Sequence, residues 1–190
     1  MLAAAHLLRD MAVPENSPGS QQLVRLRDDD AAHRTLFEKA VRGFFAHTLR
    51  HTGWQVRSPH LLWSCAAQPT PPYLPTMKTD TVLDNAADAR RIVVETKFSD
   101  SLVDHHGKSI VKTAHLYQLY AYLASQTGRG DALAEVAEGV LLFVKVEQRE
   151  VFEGQFGIQG HRIRFLSVDL GAEPADIRQR FMRCIEPTNV

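Results

Sequence analysis

The spacing of apolar residues along the chain predicts three helices. Apolar residues recur at three- and four-residue intervals over about 30–51, as in an amphipathic helix. A second helix is predicted over about 109–127, with Ser109 as its cap and Gly128 at its end. A third amphipathic helix is predicted over 175–185. The apolar stripe of the first helix consists of Leu36, Phe37, Ala40, Val41, Phe44 and Phe45.

Strand-type runs occupy much of the remaining chain. The run over 139–148 is apolar enough for the middle of a sheet, and two alternating segments around Gly160 predict a β-hairpin within 155–168. The proline-rich residues 67–75 and the polar residues 99–107 are predicted to be loops. The other predicted strands cover 54–56, 61–64, 74–83 and 91–98. This order predicts an α/β fold with a mixed central sheet flanked by helices.

Composition narrows the class of protein. The 190 residues, 44% of them hydrophobic, suffice for one domain with a substantial core. Lys and Arg together number 22, as do Asp and Glu, so no overall basic charge indicates nucleic acid. The two cysteines, Cys65 and Cys184, fit a reducing compartment and provide no zinc framework. Because no run of about 18 apolar residues occurs, no membrane span is expected and a cytoplasmic protein is predicted.

Charged residues interrupt the predicted strands over 74–83 and 91–98. Asp80 lies near the middle of the first, and Glu95 and Lys97 lie two residues apart on the second. Side chains at i and i+2 share one face of a strand, and a hairpin would bring Asp80 beside them. Two carboxylates offer the hard oxygen ligands that Mg²⁺ prefers, and the lysine can hold a water against a phosphate. The alternative is an exposed hairpin with a solvated Glu–Lys pair.

Two further polar residues lie within apolar helical runs. Glu38 is either a boundary residue paired with Arg42 at i+4 or a third acid beside the two carboxylates. Gln118 lies in the middle of the apolar run of the predicted second helix, where a buried amide needs hydrogen-bond partners that the acidic cluster or a substrate phosphate could provide. The alternative is a purely structural glutamine. The basic residues predicted to contact phosphate are Arg90, Arg91, Lys108 and Lys112, expected near this site, with Arg162 and Arg164 on the predicted hairpin around Gly160.

The order of these residues resembles that of PD-(D/E)xK nucleases: Glu in a first helix, Asp on a strand, Glu-x-Lys on the next, and Gln in the following helix. Within that group the chain resembles the nuclease domain of the McrC family, the endonuclease subunits of 5-methylcytosine-dependent McrBC restriction systems. The resemblance covers about residues 30–185. It implies a restriction-endonuclease-like domain over 31–190, with 1–30 as the remnant of a longer N-terminal region. The matching segments are LFEKAVRGFF, LPTMKTDTVL, IVVETKF, HLYQLYAYL and GIQGHRIRFLSVDL.

The resemblance implies a metal-dependent site. Asp80 and Glu95 look like the metal ligands, with the Thr96 backbone carbonyl as a third. The implied metal is Mg²⁺, for which Mn²⁺ would substitute. Lys97 looks like the residue that orients or activates the attacking water.

The remaining matches support this site, with two departures from the family pattern. Glu38 matches the acidic residue of the first helix, and Gln118 matches the Tyr-Gln motif that supports the site. The proline that usually adjoins the first aspartate is displaced to Pro75, with Thr79 in its place. Glu95 stands where Asp is frequent, a change that the fold commonly accepts.

The function implied by the resemblance is that of a Mg²⁺-dependent DNA endonuclease subunit in a type IV, modification-dependent restriction system. An McrB-type partner would supply target choice and GTP hydrolysis, since the chain has no GxxxxGK[ST] motif. The expected partners are DNA, this GTPase and, for double-strand cleavage, a second copy of the chain. The alternative is a catalytically silent module that keeps the nuclease fold in order to bind a GTPase or nucleic acid.

Overall fold

The computed structural model describes residues 30–65, 71–145 and 149–187. The predicted lead segment over 1–30, apart from Asp30, lies outside these residues, as do 146–148 at the end of one predicted strand. The described helices are α1 (Asp30–Thr48), α2 (Thr113–Ala124), α3 (Ala132–Glu135) and α4 (Pro174–Met182). The described strands are β1 (Trp54–Arg57), β2 (His60–Leu61), β3 (Met77–Lys78), β4 (Thr81–Asn85), β5 (Arg90–Lys97), β6 (Leu102–His105), β7 (Lys108–Val111), β8 (Glu138–Val144), β9 (Glu153–Ile158) and β10 (His161–Val168).

A mixed sheet of six strands forms the centre of the fold, in the order β1-β4-β5-β8-β10-β9. Strands β1, β4 and β5 are antiparallel neighbours, whereas β5, β8 and β10 run parallel to one another. Strand β9 ends the sheet as the antiparallel partner of β10, which confirms the predicted hairpin around Gly160. The α/β class and the mixed central sheet are therefore confirmed.

Helices cover both faces of this sheet. On one face, Phe37 and Phe45 of α1 and Phe181 of α4 pack in one buried cluster with strand residues such as Val94. On the other face, Leu119 and Leu123 of α2 belong to a second cluster, which includes Val93. Neighbouring residues of β5 thus point to opposite helical layers, as the strand geometry requires. None of the helices in the described part of the chain is long and apolar enough to cross a membrane.

The predicted start of the second helix was wrong. Residues Lys108–Val111 form β7, which pairs with β6 in a separate hairpin, and α2 begins only at Thr113. The predicted loop over 99–107 therefore contains a strand, and Ser109 is not a helix cap. The helix follows Lys112, which makes no side-chain capping bond. His106 and Gly107 take positive φ values of 48° and 75° at the hairpin tip, as in the tight turns that join paired strands.

The predicted strand over 74–83 is also interrupted. Strand β3 pairs with β2, whereas β4 pairs with β5, and Asp80 lies in the bend between β3 and β4. The change of partner requires the chain to turn there, although more buried and less buried side chains still alternate across the break. The predicted strand over 61–64 is likewise shorter, because β2 ends at Leu61.

Candidate active site

The candidate site lies where β4 and β5 separate. Their pairing ends at Thr81 and Val94, but β5 continues to Lys97 alongside β8. Beyond the last pair, Asp80 Oδ2 accepts hydrogen bonds from Thr96 N, at 2.8 Å, and from Thr96 Oγ1, at 2.6 Å. The carboxylate thus satisfies a strand amide that β4 no longer pairs, and this holds Asp80 beside β5.

Glu95 and Lys97 project from β5 on the side covered by α2. Glu95 is 2% exposed, and its Oε1 accepts a hydrogen bond from Lys97 Nζ at 2.6 Å. Lys97 Nζ also donates to Gln118 Oε1 at 2.8 Å. Glu95 Oε2 is buried and has no hydrogen-bond partner among the described residues. Because an unpartnered buried carboxylate oxygen is costly, this atom marks a place suited to a positive ligand.

Burial disfavours the ionised form of both carboxylates. It raises the pKa of Glu95 to about 7, and the negative charge of Asp80 contributes in the same direction. Burial also raises the pKa of Asp80, outweighing the two hydrogen bonds from Thr96. Two acids forced together away from water repel each other, and a bound cation would relieve that repulsion.

The donor set fits a hard divalent cation. Two carboxylates, one with an unpartnered oxygen, are ligands of the kind that Mg²⁺ and Mn²⁺ bind, and such ions keep several waters. Within residues 30–65, 71–145 and 149–187, no three His, Cys, Asp or Glu side chains form a group able to hold a metal ion. The side chains therefore supply a pair of ligands at most, and further ligands must be water or backbone oxygen. The Thr96 carbonyl remains the predicted third ligand.

Glu38 lies in the same cleft of about 330 Å³ as Asp80, Glu95, Lys97 and Gln118. Its Oε1 accepts a hydrogen bond from Arg42 Nη1 at 2.9 Å and lies 3.6 Å from Lys78 Nζ. The predicted i,i+4 pair with Arg42 is thus present. Glu38 shares the cleft of the two acids, but among the described residues it does not complete a metal-binding group of three with them. The charge of Glu38 also contributes to the raised pKa of both Asp80 and Glu95.

Arg42 links the first helix to the strand break, a contact that the sequence did not reveal. The same Nη1 that binds Glu38 donates to the backbone carbonyl of Asp80 at 2.9 Å. Asp80 is therefore held from two sides, by Thr96 through its carboxylate and by Arg42 through its carbonyl.

Gln118 joins Lys97 to a further residue, Tyr122, that sequence reasoning missed. Gln118 Nε2 donates to Tyr122 Oη at 2.7 Å, and Tyr122 Oη donates to the Lys78 carbonyl at 2.8 Å. The available signal was the i,i+4 spacing of Gln118 and Tyr122, two polar groups on one face of an otherwise apolar helix. The chain of hydrogen bonds fixes which Gln118 atom faces Lys97, because the amide nitrogen is already committed to Tyr122.

We predict that Tyr122→Phe slows cleavage about fivefold, the effect of one lost hydrogen bond on the position of Lys97. Metal affinity should not change, because neither carboxylate is touched. Cleavage rates and Mn²⁺ titration calorimetry on the same preparations test both halves. Tyr117→Phe is the matched control, since Tyr117 is on the same helix but 66% exposed. Equal rates for both variants and the wild type would contradict a positioning role.

Glu95 makes stability depend on pH in the metal-free protein. Between pH 4.5 and 7, folded Glu95 keeps a proton that the unfolded side chain has released, so the free energy of unfolding falls as pH rises. The total loss should be about 3 kcal/mol. Glu95→Gln should remove most of this slope, leaving the smaller contribution of Asp80. Denaturant unfolding in EDTA across this pH range provides the measurement. Identical slopes for the wild type and Glu95→Gln would refute this prediction.

Most of the basic residues predicted to contact phosphate lie away from the cleft that contains Asp80 and Glu95. Arg90 and Arg91 begin β5, and Arg91 is about 20 Å along the strand from Lys97, so the prediction that they adjoin the site was wrong. Lys108 is exposed on the β6–β7 hairpin, and Lys112 Nζ donates to the Asp100 carbonyl. The four arginines form ion pairs: Arg90, Arg162 and Arg164 with Glu138, and Arg91 with Asp84 and Asp131.

Neither a protein-family model nor a curated protein matches this chain. The resemblance to the McrC family therefore rests on the ordered motifs of the sequence. The geometry of the site comes from the structure, in the contacts that Asp80, Glu95 and Lys97 make with their neighbours.

Proposed function

We propose that this chain is a divalent-metal-dependent deoxyribonuclease with a restriction-endonuclease-like fold. The observation that supports the proposal is the convergence of Asp80, Glu95 and Lys97 at the end of the β4–β5 pairing, with one buried Glu95 oxygen that no described residue contacts by a hydrogen bond. A solvated Glu–Lys pair on an exposed hairpin does not describe this site, because Glu95 is buried and Lys97 is 17% exposed.

Asp80, Glu95 and the Thr96 carbonyl are the groups that would hold Mg²⁺ or Mn²⁺. Bound there, the ion would offset the negative charge that develops on the phosphate in the transition state. Lys97 has three N–H donors, of which two bind Glu95 and Gln118. The third is left for a water or a phosphate oxygen, and its direction is fixed by the other two. Lys97 can therefore orient the attacking water.

The reaction is hydrolysis of a phosphodiester. The water oxygen forms a bond to phosphorus while the bond from phosphorus to the 3′-oxygen breaks, which leaves a 5′-phosphate and a 3′-hydroxyl. Gln118 and Tyr122 keep the Lys97 ammonium in place and do not themselves need to contact the substrate.

The biological setting that we propose is a type IV, 5-methylcytosine-dependent restriction system of the cytoplasm, in which the chain acts as an McrC-like subunit. The ordered motifs of the sequence support this proposal. An McrB-type GTPase would choose the target and hydrolyse GTP, and a second copy of the chain would cut the opposite strand. The four arginines that were predicted to contact phosphate form ion pairs within the chain. Because they are already paired, target choice by a partner is favoured.

Incubation of the purified chain with supercoiled plasmid tests the proposed activity. Nicked or linear DNA should appear with Mg²⁺ or Mn²⁺ and not with EDTA, and an McrB-type partner with GTP should increase cleavage of methylated plasmid. A protein that never cleaves DNA under any of these conditions would instead fit the silent interaction module.

A further inference from the structure

His115 also lines the cleft that contains the acidic pair. It lies in the first turn of α2, three residues before Gln118, so the two side chains project from neighbouring positions on the same side of the helix. Its Nδ1 lies 2.9 Å from Ser101 Oγ, whereas its Nε2 makes no hydrogen bond to any described residue. One ring nitrogen is therefore anchored and the other is free for a ligand.

The burial of Ser101 determines which nitrogen carries the proton. Ser101 is fully buried, and among the described residues its hydroxyl has no partner other than His115. If Nδ1 carried the proton, the hydroxyl hydrogen of Ser101 would be buried without an acceptor, which is costly. The favoured arrangement has Ser101 donating to Nδ1, so that the proton of the neutral ring is on Nε2.

The surroundings also keep the ring neutral. Burial lowers the pKa of His115 to about 4, and the positive charges of Lys97 and Lys112 contribute in the same direction. At physiological pH the ring therefore offers an N–H donor without a charge. Such a donor can bind an anionic oxygen without a change in its own protonation.

We propose that His115 is a substrate-contacting residue of this site, which donates a hydrogen bond from Nε2 to a phosphate oxygen of the bound DNA strand. The inference rests on the proposed nuclease function, because a phosphodiester is the anion that this function brings into the cleft. Lys97 and His115 would then contact the substrate from neighbouring positions, one as a cation and the other as a neutral donor. Preorganised donors of this kind orient the reacting group and stabilise its developing charge.

A comparison of His115→Ala with His115→Gln tests the donor role. Glutamine can carry an amide N–H to about the position of Nε2, whereas alanine cannot. We expect the alanine variant to lose about tenfold in kcat/KM and in affinity for a fluorescent DNA duplex in EDTA, and the glutamine variant to stay within about threefold of the wild type. His47→Ala is the matched control, because His47 is exposed near the end of α1.

A long-range proton–nitrogen NMR spectrum of the free protein reports the ring state directly. We expect His115 as the neutral Nε2–H form at neutral pH, and a mixture of both neutral forms in Ser101→Ala, because the donor to Nδ1 is removed. A dominant Nδ1–H form in the wild type would overturn the inference, as would equal loss of DNA affinity in His115→Gln and His115→Ala.

The binding and cleavage measurements separate this inference from the proposed function. A wild type that binds DNA but does not cleave it with Mg²⁺ or Mn²⁺ contradicts the nuclease proposal, while weaker binding by His115→Ala would still support the phosphate contact. A wild type that cleaves DNA, with His115→Ala equal to it in both affinity and rate, overturns the inference about His115 alone.

Discussion

Asp80→Asn is expected to abolish Mg²⁺-dependent DNA cleavage while leaving the protein folded. The substitution removes one of the two carboxylates that would hold the cation, and a loss of several kcal/mol of transition-state stabilisation corresponds to a rate decrease of at least ~10³-fold. The asparagine oxygen can still accept the hydrogen bonds from Thr96 N and Oγ1. Removal of the charge also relieves the repulsion that Asp80 exerts on buried Glu95. Plasmid cleavage and thermal unfolding test the two halves.

Asparagine separates the chemistry from the fold better than alanine does. Asp80→Ala would leave the Thr96 amide without its acceptor, at a cost of about 1–3 kcal/mol. Asp176→Asn, an exposed aspartate on α4, is the matched control and should cleave at the wild-type rate. Cleavage by Asp80→Asn at the control rate would show that Asp80 takes no part in the mechanism.

Lys97→Ala is expected to lose at least ~10²-fold in rate while it keeps the ability to bind Mn²⁺. Both carboxylates remain, but the water loses the ammonium that orients it. Lys97→Arg should not restore the rate, because a planar guanidinium cannot take the place of a compact ammonium between Glu95 Oε1 and Gln118 Oε1.

Removal of Lys97 also takes away the hydrogen bond and the nearest positive charge of Glu95, both of which lower the pKa of that residue. The Mn²⁺ titration should therefore be made at about pH 8, where Glu95 is more fully ionised. Lys39→Ala, an exposed lysine on α1, provides the control. Loss of Mn²⁺ binding in Lys97→Ala but not in the control would show that Lys97 and the carboxylates do not have separate roles.

Strand periodicity predicted the arrangement of β5 from the sequence. The two-residue spacing places Glu95 and Lys97 on one face, and their hydrogen bond is present. Periodicity could not show that the chain changes strand partners at Asp80, because the alternation continues through the bend. It also could not separate β7 from the following helix, since Ile110 suits an apolar position in either element and its pairing with Val103 depends on the hairpin turn.

Polar contacts over long sequence separations were less predictable. Gln118 was expected to find a polar partner because it lies in an apolar helix, and it binds Lys97. Tyr122 was counted as an apolar position, so its hydroxyl was overlooked. Arg90 was expected near the site, but it pairs with Glu138, 48 residues away, at the other end of β5. A pattern of charges in the sequence does not reveal such partners.

The proposed nuclease activity depends above all on a divalent cation that binds between Asp80 and Glu95. The most direct measurement is X-ray diffraction from crystals soaked in Mn²⁺, with data collected to give the anomalous signal of manganese. We predict one strong peak in contact with both carboxylates, absent from Asp80→Asn crystals treated in the same way. A saturating soak that leaves the Asp80–Glu95 pair without a peak would contradict the assignment of these residues as a metal site.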